Sequence, residues 1–552
     1  MVTTVLRGGT LFDGHRYLGP GAVVLRDDRI ALVLAGPELE ALAPRLAAAP
    51  EQVRVVDLAG GLVAPGFVDA HVHPVQGGLE RIRCDLSVLD TREEYLAAVA
   101  AYARRHPDRP WVLGGGWAMP AFPGGTPTAA DLDRAVADRP VFLPNRDHHG
   151  AWVNSCALQL AGIDARTPDP TDGRIERGPG GQPTGTLHEG AMRLVSRLVP
   201  PTAEEEYDAA LLAGQGFLHS LGVTGWQDAI VGEYAGMGDP GPAYRRAAER
   251  GDLTGHVVGA LWWDRDRGEE QVAELVARRA AYTHGRFRAT SVKFMQDGVA
   301  ENGTAALTAP YLDRCGHRTG NRGRSFLTPD ELCRHVARVA AEGFQVHVHA
   351  IGDRGVREAL DAFEALGADG RDLRHHVAHL QLVHPTDVAR FARHGVAANI
   401  QALWACLDEQ MVDLTLPFLG EERARWQYPF GDLHRAGARL VAGSDWPVSS
   451  PDPLAALHVA VNRRPHEPAG AAGPLGSEAF LPEQSLALET AFAAYTSGSA
   501  WVNHRDDAGR LERGAAADLV VLDRDPFAAP ADQVGAARVV STWVDGVPVF
   551  EA

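Results

Sequence analysis

Two histidines close the run Ala64-Pro65-Gly66-Phe67-Val68-Asp69-Ala70-His71-Val72-His73-Pro74. In extended chain, side chains at i and i+2 point to the same face. His71 and His73 therefore stand together at the end of an apolar strand, which is half of a zinc-type site. A bare His-x-His in a turn would be an ordinary polar pair; the preceding apolar run is what favours the ligand reading. A second run, Phe344-Gln345-Val346-His347-Val348-His349-Ala350, ends the same way. His349 lies nearest the strand end and is the candidate ligand, while His347, one layer deeper, is read either as a hydrogen-bonded core histidine or in a direct role.

Three further positions fit the same chemistry. His379 ends the short run His375-His376-Val377-Ala378-His379, directly after the His349 strand, where a ligand for a second metal would sit. Val441-Ala442-Gly443-Ser444-Asp445 delivers one carboxylate at a strand tip. Asp445 could bind metal, accept a proton from metal-activated water and return it to a leaving amine. Lys293, inside Ser291-Val292-Lys293-Phe294-Met295, is a charge within an apolar run. Buried in a barrel strand, such a lysine is costly unless partnered or modified.

These residues need a scaffold that brings strand tips together. Eight short apolar runs alternate with stretches of helical period: 62–70, 223–228, 256–262, 291–295, 345–348, 376–380, 396–400 and 440–442. That alternation is the signature of a parallel sheet with covering helices. It predicts an α/β fold, a (β/α)8 TIM barrel over 62–504 whose strand ends carry function. The segments 1–61 and 505–552 are β-rich and turn-rich, with Asp545-Gly546 marking a hairpin, and are expected to meet in one small β-sandwich domain. The long Gly-, Pro- and Trp-rich stretch of about 74–221 reads as an insertion after the first barrel strand, a lid or pocket wall.

The net charge of −18 argues against a nucleic-acid partner, which would call for a basic face. Five scattered cysteines without a Cys-x-x-Cys pair suit a reduced, cytoplasmic chain. Neither a secretory leader nor the roughly 20-residue apolar stretch of a membrane span is apparent.

Taken in order, the five segments resemble the amidohydrolase superfamily, and more narrowly amidohydrolase family 3, which includes N-substituted formamide deformylases. The resemblance extends to Gly115-Gly116-Trp117, Pro127-Thr128 with Leu132-Asp133, Asp147-His148-His149 through Asn154, Gly185 through Glu189, and Gly509 through Gly514 with Ala517-Asp518-Leu519. Met295 through Asn302 resembles the formamide-deformylase subgroup in particular. The resemblance implies two divalent cations, zinc at sites that manganese, iron or nickel would also fit. His71 and His73 would hold one and His349 and His379 the other. Lys293, carboxylated by CO2, would bridge them, and Asp445 would complete the first shell and shuttle the proton. One departure stands out: where the family usually has Glu before the sixth-strand histidine, this chain has Ala378.

The expected reaction is hydrolysis of a C–N bond in a small-molecule linear amide, an N-acyl or N-formyl amine. Trp117, His149, Glu189 and Trp446 are candidate substrate-binding residues, and Trp262, Trp263 and Trp404 could add aromatic wall for an apolar or aryl group. Ring deamination or cyclic-amide hydrolysis is the rival within the superfamily; the one-metal deaminases usually show His-x-x-Glu, absent after His379. A non-catalytic regulatory protein that keeps the fold is the rival outside it, and a complete ligand set speaks against decay. A homodimer would be in keeping with the resemblance.

Overall fold

Each of the eight expected runs contributes one strand to a parallel barrel sheet: Phe67–Val72, Val223–Val231, His256–Trp262, Phe287–Met295, Gln345–Ala350, His376–His379, Ala397–Ile400 and Leu440–Ala442, each paired with the next in chain order. The structure, a computed structural model, describes residues 3–41, 53–234, 236–367, 370–466 and 478–552. Strands covered on both faces read as near-continuous apolar runs; every residue of Val223–Val231, for example, is buried. Where the last two strands approach the first, the ladder gives way to single contacts. The Asp445 N–H donates to His71 O at 2.7 Å, and the Asn399 side-chain amide donates to Ala70 O at 2.9 Å. Gly443 permits this approach, since a Cβ there would lie 2.7 Å from the His71 backbone nitrogen.

The run expected as one strand over 62–70 is two. Leu62–Pro65 pairs antiparallel with Leu519–Leu522, outside the barrel, and Phe67–Val72 begins the barrel. Both halves are buried throughout, so hydrophobicity carries no mark of the switch between sheets. Gly66 is the joint: its N–H donates to Asp518 O at 2.9 Å, and a Cβ there would meet the Thr224 side chain at 2.2 Å. Leu62–Pro65 belongs to an eight-stranded sheet built from both ends of the chain. Its core joins Leu6, Val23 and Leu25 to Leu519, Val521 and Trp543.

The stretch after the first barrel strand carries a sheet of its own. Six short strands, Cys84–Asp85, Val112–Gly115, Val141–Pro144, Gly150–Val153, Gly173–Arg177 and Pro183–Glu189, pack over two separate apolar clusters. Among the described residues no helix is long and apolar enough to cross a membrane, and the five cysteines are unpaired.

Candidate metal centre

The strand tips converge. His71, His73, Lys293, His349, His379 and Asp445 all line one cavity of about 430 Å³ at the barrel mouth, a size suited to a small ligand. Asp445 Oδ1 lies 2.9 Å from His71 Nε2 and 3.0 Å from His73 Nε2. Asp445 Oδ2 lies 3.8 Å from His379 Nδ1. Lys293 Nζ stands 3.5 Å from His71 Nε2, and the His349 and His379 rings are 4.3 Å apart, centre to centre. His71, His379 and Asp445 each offer an atom within a common 4.8 Å.

His379 reaches the mouth against the alternation of its strand. His376, three residues earlier, faces the barrel interior, so strict period two would turn His379 outward. A left-handed φ of +80° at His379 and +52° at Leu380 breaks the period, and the His379 N–H is held by Gln401 Oε1 at 2.6 Å. Asp445 also sits at positive φ, +60°. Such strained residues persist only where their surroundings fix them. Both ring nitrogens of His379, fully buried, lack a hydrogen-bond partner among the described residues. Ala378 is buried between His349 and Asn399 of the adjoining strands and supplies no carboxylate.

The electrostatics favour bare lone pairs. Burial, with Lys293 nearby, pulls His71 down to about 3. Burial likewise lowers His73, against the pull of Asp445, and holds His349 and His379 well below the usual imidazole range. Burial raises the Asp445 carboxyl, but its contacts with His71, His73 and His379 override that and hold the group well below the usual carboxylate range. Lys293 is pulled down to about 7 by burial, with Asp445 and Asp228 opposing. Several neutral imidazoles, one carboxylate and an amine at the edge of neutrality form a donor set that a divalent cation fits, and the orphaned His379 nitrogens are where it would bind.

The wall residues divide. His149 and Trp446 line the cavity. Trp446 O accepts from the His73 N–H at 2.8 Å. Trp262 and Trp404 line it too, with the Trp404 ring nearly parallel to His379 at 5.8 Å. Glu189 stands behind His149, with Oε1 2.9 Å from Nδ1. Burial lowers His149, but the charge and hydrogen bond of Glu189 outweigh it and push the ring up to about 9. The expectation for Trp117 does not hold. It is buried in the core of the insertion, edge-on to Phe122 and Trp152, and its Nε1–H donates to Leu143 O at 2.8 Å. A local Gly-Gly-Trp cannot reveal that the ring turns inward to the insertion's own core. Trp263 also packs away from the cavity, stacked on Phe294.

Other side chains that shape the site escaped the sequence reading. Asp69 Oδ1 accepts from the His71 and Ser444 N–H groups, each at 3.0 Å, and so ties the first strand to the eighth. Its position two before His71, on the same face, was the available signal. Asp297 accepts from the N–H groups of Ile351, Gly352 and Ala306, fixing the turn beyond His349. Nothing in its local sequence pointed to that role.

Residues 54–550 match the Amidohydrolase family. The protein YtcJ of Bacillus subtilis (strain 168) is 31% identical over 509 residues, covering 90% of each chain. The N-substituted formamide deformylase of Arthrobacter pascens is 28% identical over 551 residues, covering 96% of this chain and 95% of the relative. Among solved structures, an uncharacterized metal-dependent hydrolase from Pyrococcus furiosus superposes with a TM-score of 0.70 at 27% identity, covering 95% of this chain and all of the other.

Proposed function

The chain belongs to the amidohydrolase family of hydrolases, and from that premise we propose that it cleaves the C–N bond of a linear N-acyl or N-formyl amine, using two divalent cations, zinc by preference, at the barrel mouth. The observation that carries this reading is the convergence of six side chains from five strand ends on one cavity, with the His379 nitrogens buried and unpartnered among the described residues. His71, His73 and Asp445 would hold one cation, and His349 and His379 the other. Lys293, close to neutral at physiological pH, has the uncharged amine that carboxylation by CO2 requires, and as a carbamate it would bridge the pair.

A cation held there supplies Lewis-acid polarisation of a carbonyl and lowers the pKa of water toward neutrality. The chain's own groups do the rest. His71 and His73 engage Oδ1 of Asp445, leaving Oδ2 to take the proton from the attacking water. The water oxygen bonds to the carbonyl carbon, the C–N bond breaks, and the same Oδ2 returns the proton to the departing nitrogen. His149 spends Nδ1 on Glu189 and keeps Nε2 for the cavity, placed to donate to the oxygen on which charge develops. Trp262, Trp404 and Trp446 suit an apolar or aryl substituent on the substrate.

The test is a screen of N-formyl and N-acyl aryl amines with metal-counted enzyme, beside Lys293→Ala. Amine release is expected from at least one substrate, with about two ions per chain, and Lys293→Ala should lose metal and turnover together. No amine from any substrate, or a variant that keeps both ions and full turnover, would remove the proposal.

A further inference from the structure

Below the mouth, the barrel interior holds a polar layer that the reaction does not touch. Gln345 Nε2 donates to two backbone carbonyls, Arg374 O at 2.9 Å and Val502 O at 2.6 Å. Carbonyl oxygens only accept, so the orientation of this amide is fixed. Its Oε1 must then receive a proton, and the donor is Gln227 Nε2 at 2.9 Å. That turns Gln227 Oε1 toward two imidazoles, 2.7 Å from His347 Nδ1 and 3.0 Å from His376 Nε2.

A second anchor gives the same polarity. Asn399 Nδ2 donates to Ala70 O at 2.9 Å and lies 3.1 Å from His376 Nδ1. His376 therefore accepts at Nδ1 and donates from Nε2 to Gln227. With Gln227 Oε1 fixed as an acceptor, His347 carries its proton on Nδ1. Its Nε2, 2.8 Å from His71 Nδ1, is left as a lone pair, and His71 must donate to it.

We infer that His347 is a positioning residue: an oriented chain from Gln345 through Gln227 and His347 fixes the proton of His71 on Nδ1 and bares His71 Nε2 toward the cation. His71 Nε2 and the ionised Asp445 Oδ1 then face each other as two acceptors 2.9 Å apart, an arrangement that a cation resolves. Both nitrogens of His347 are taken, Nδ1 by Gln227 Oε1 and Nε2 by His71 Nδ1 with Lys293 Nζ at 3.4 Å, so it has no lone pair to offer as a ligand. Hydrogen bonds of this kind to the far nitrogen of a ligating histidine set its tautomer and basicity. The role rests on the proposed metal centre; the proton positions do not.

Neutron diffraction from crystals of the full chain, with and without zinc, reads the ring protons directly. Deuterium on Nδ1 of both His71 and His347 is expected in each state. A bare Nδ1 on either ring overturns the inference. Zinc titration against a competing chelator supplies the second readout, with His347→Leu and His347→Gln compared, because the glutamine oxygen can accept from His71 and leucine cannot. Leucine should weaken zinc binding about 10- to 100-fold, while glutamine should stay within about threefold of wild type. Equal loss in both variants, or wild-type affinity in the leucine variant, defeats the positioning role. Deuterons in place in a protein that takes up no zinc would support the chain of proton positions and sink the metal reading instead.

Discussion

His349 on the barrel and His149 on the insertion are equally hidden from solvent, 4% and 5% exposed, with ring centres 6.2 Å apart, yet their affinities for a proton are shifted in opposite directions. Burial lowers both. The difference lies in how carboxylates are shared. Asp445 is paired with His71 and His73 and reaches His349 only through space, against burial and the charge of Lys293, so neither His349 nor those two imidazoles is lifted into the range where it would be protonated. Glu189 serves His149 and the Thr304 hydroxyl, so His149 is held as an imidazolium to about pH 9. A cation ligand has to be neutral, and a donor to a developing oxyanion gains from being charged. The ratio of carboxylates to bases, more than depth, separates the two roles.

The most severe way to break this contrast is Asp445→Asn. Losing both the shared anion and the proton carrier should lower kcat by about 10²- to 10⁴-fold and reduce bound zinc, measured by steady-state amine release and elemental analysis. Retention of turnover would show that the mouth does not depend on its one shared carboxylate.

Glu189→Gln sharpens the other side. His149 has a folded pKa of about 9, above its ordinary value of 6.5. The stability gained from its protonation is fully present below pH 6.5 and is lost as pH rises through about 9. A shift of that size corresponds to roughly 3 kcal/mol. Denaturation midpoints of wild type should fall between pH 7 and 9.5, whereas the glutamine variant should start lower and lack that slope. Its amine release should also lose the dependence on His149 charge across the same window.

The smallest expected effect tests where the insertion stops contributing to the cavity. Trp117→Phe removes the Nε1–H bond to Leu143 O and should cost about 1–2 kcal/mol of stability, with KM unchanged. A large KM change would place this ring at the substrate, against its position in the insertion core.

Much of the barrel was legible because strands buried on both faces leave long apolar runs, and because the polar residues that interrupt them at the tips, His71, His73, His349 and Asp445, are conspicuous there. The switch at Gly66 was not, since Leu62–Pro65 and Phe67–Val72 are equally buried in two different sheets. The inserted sheet stayed hidden because its strands are of two to seven residues and are broken by Gly and Pro. Gln227, Gln345 and Asn399 are polar inside the barrel and paired with partners far away in the chain, so no local pattern marks them. His379 was found by its neighbours in sequence; its inward turn depends on a positive φ that no period anticipates.

Gly66 has a further consequence. Leu519–Leu522, near the end of the chain, grips Leu62–Pro65, and one residue later the same backbone runs straight on to His71 and His73. The tail is thus an anchor line for the reaction centre. Clipping the protein upstream of Leu519 would cut that mooring and loosen the hold of the paired histidines on a cation.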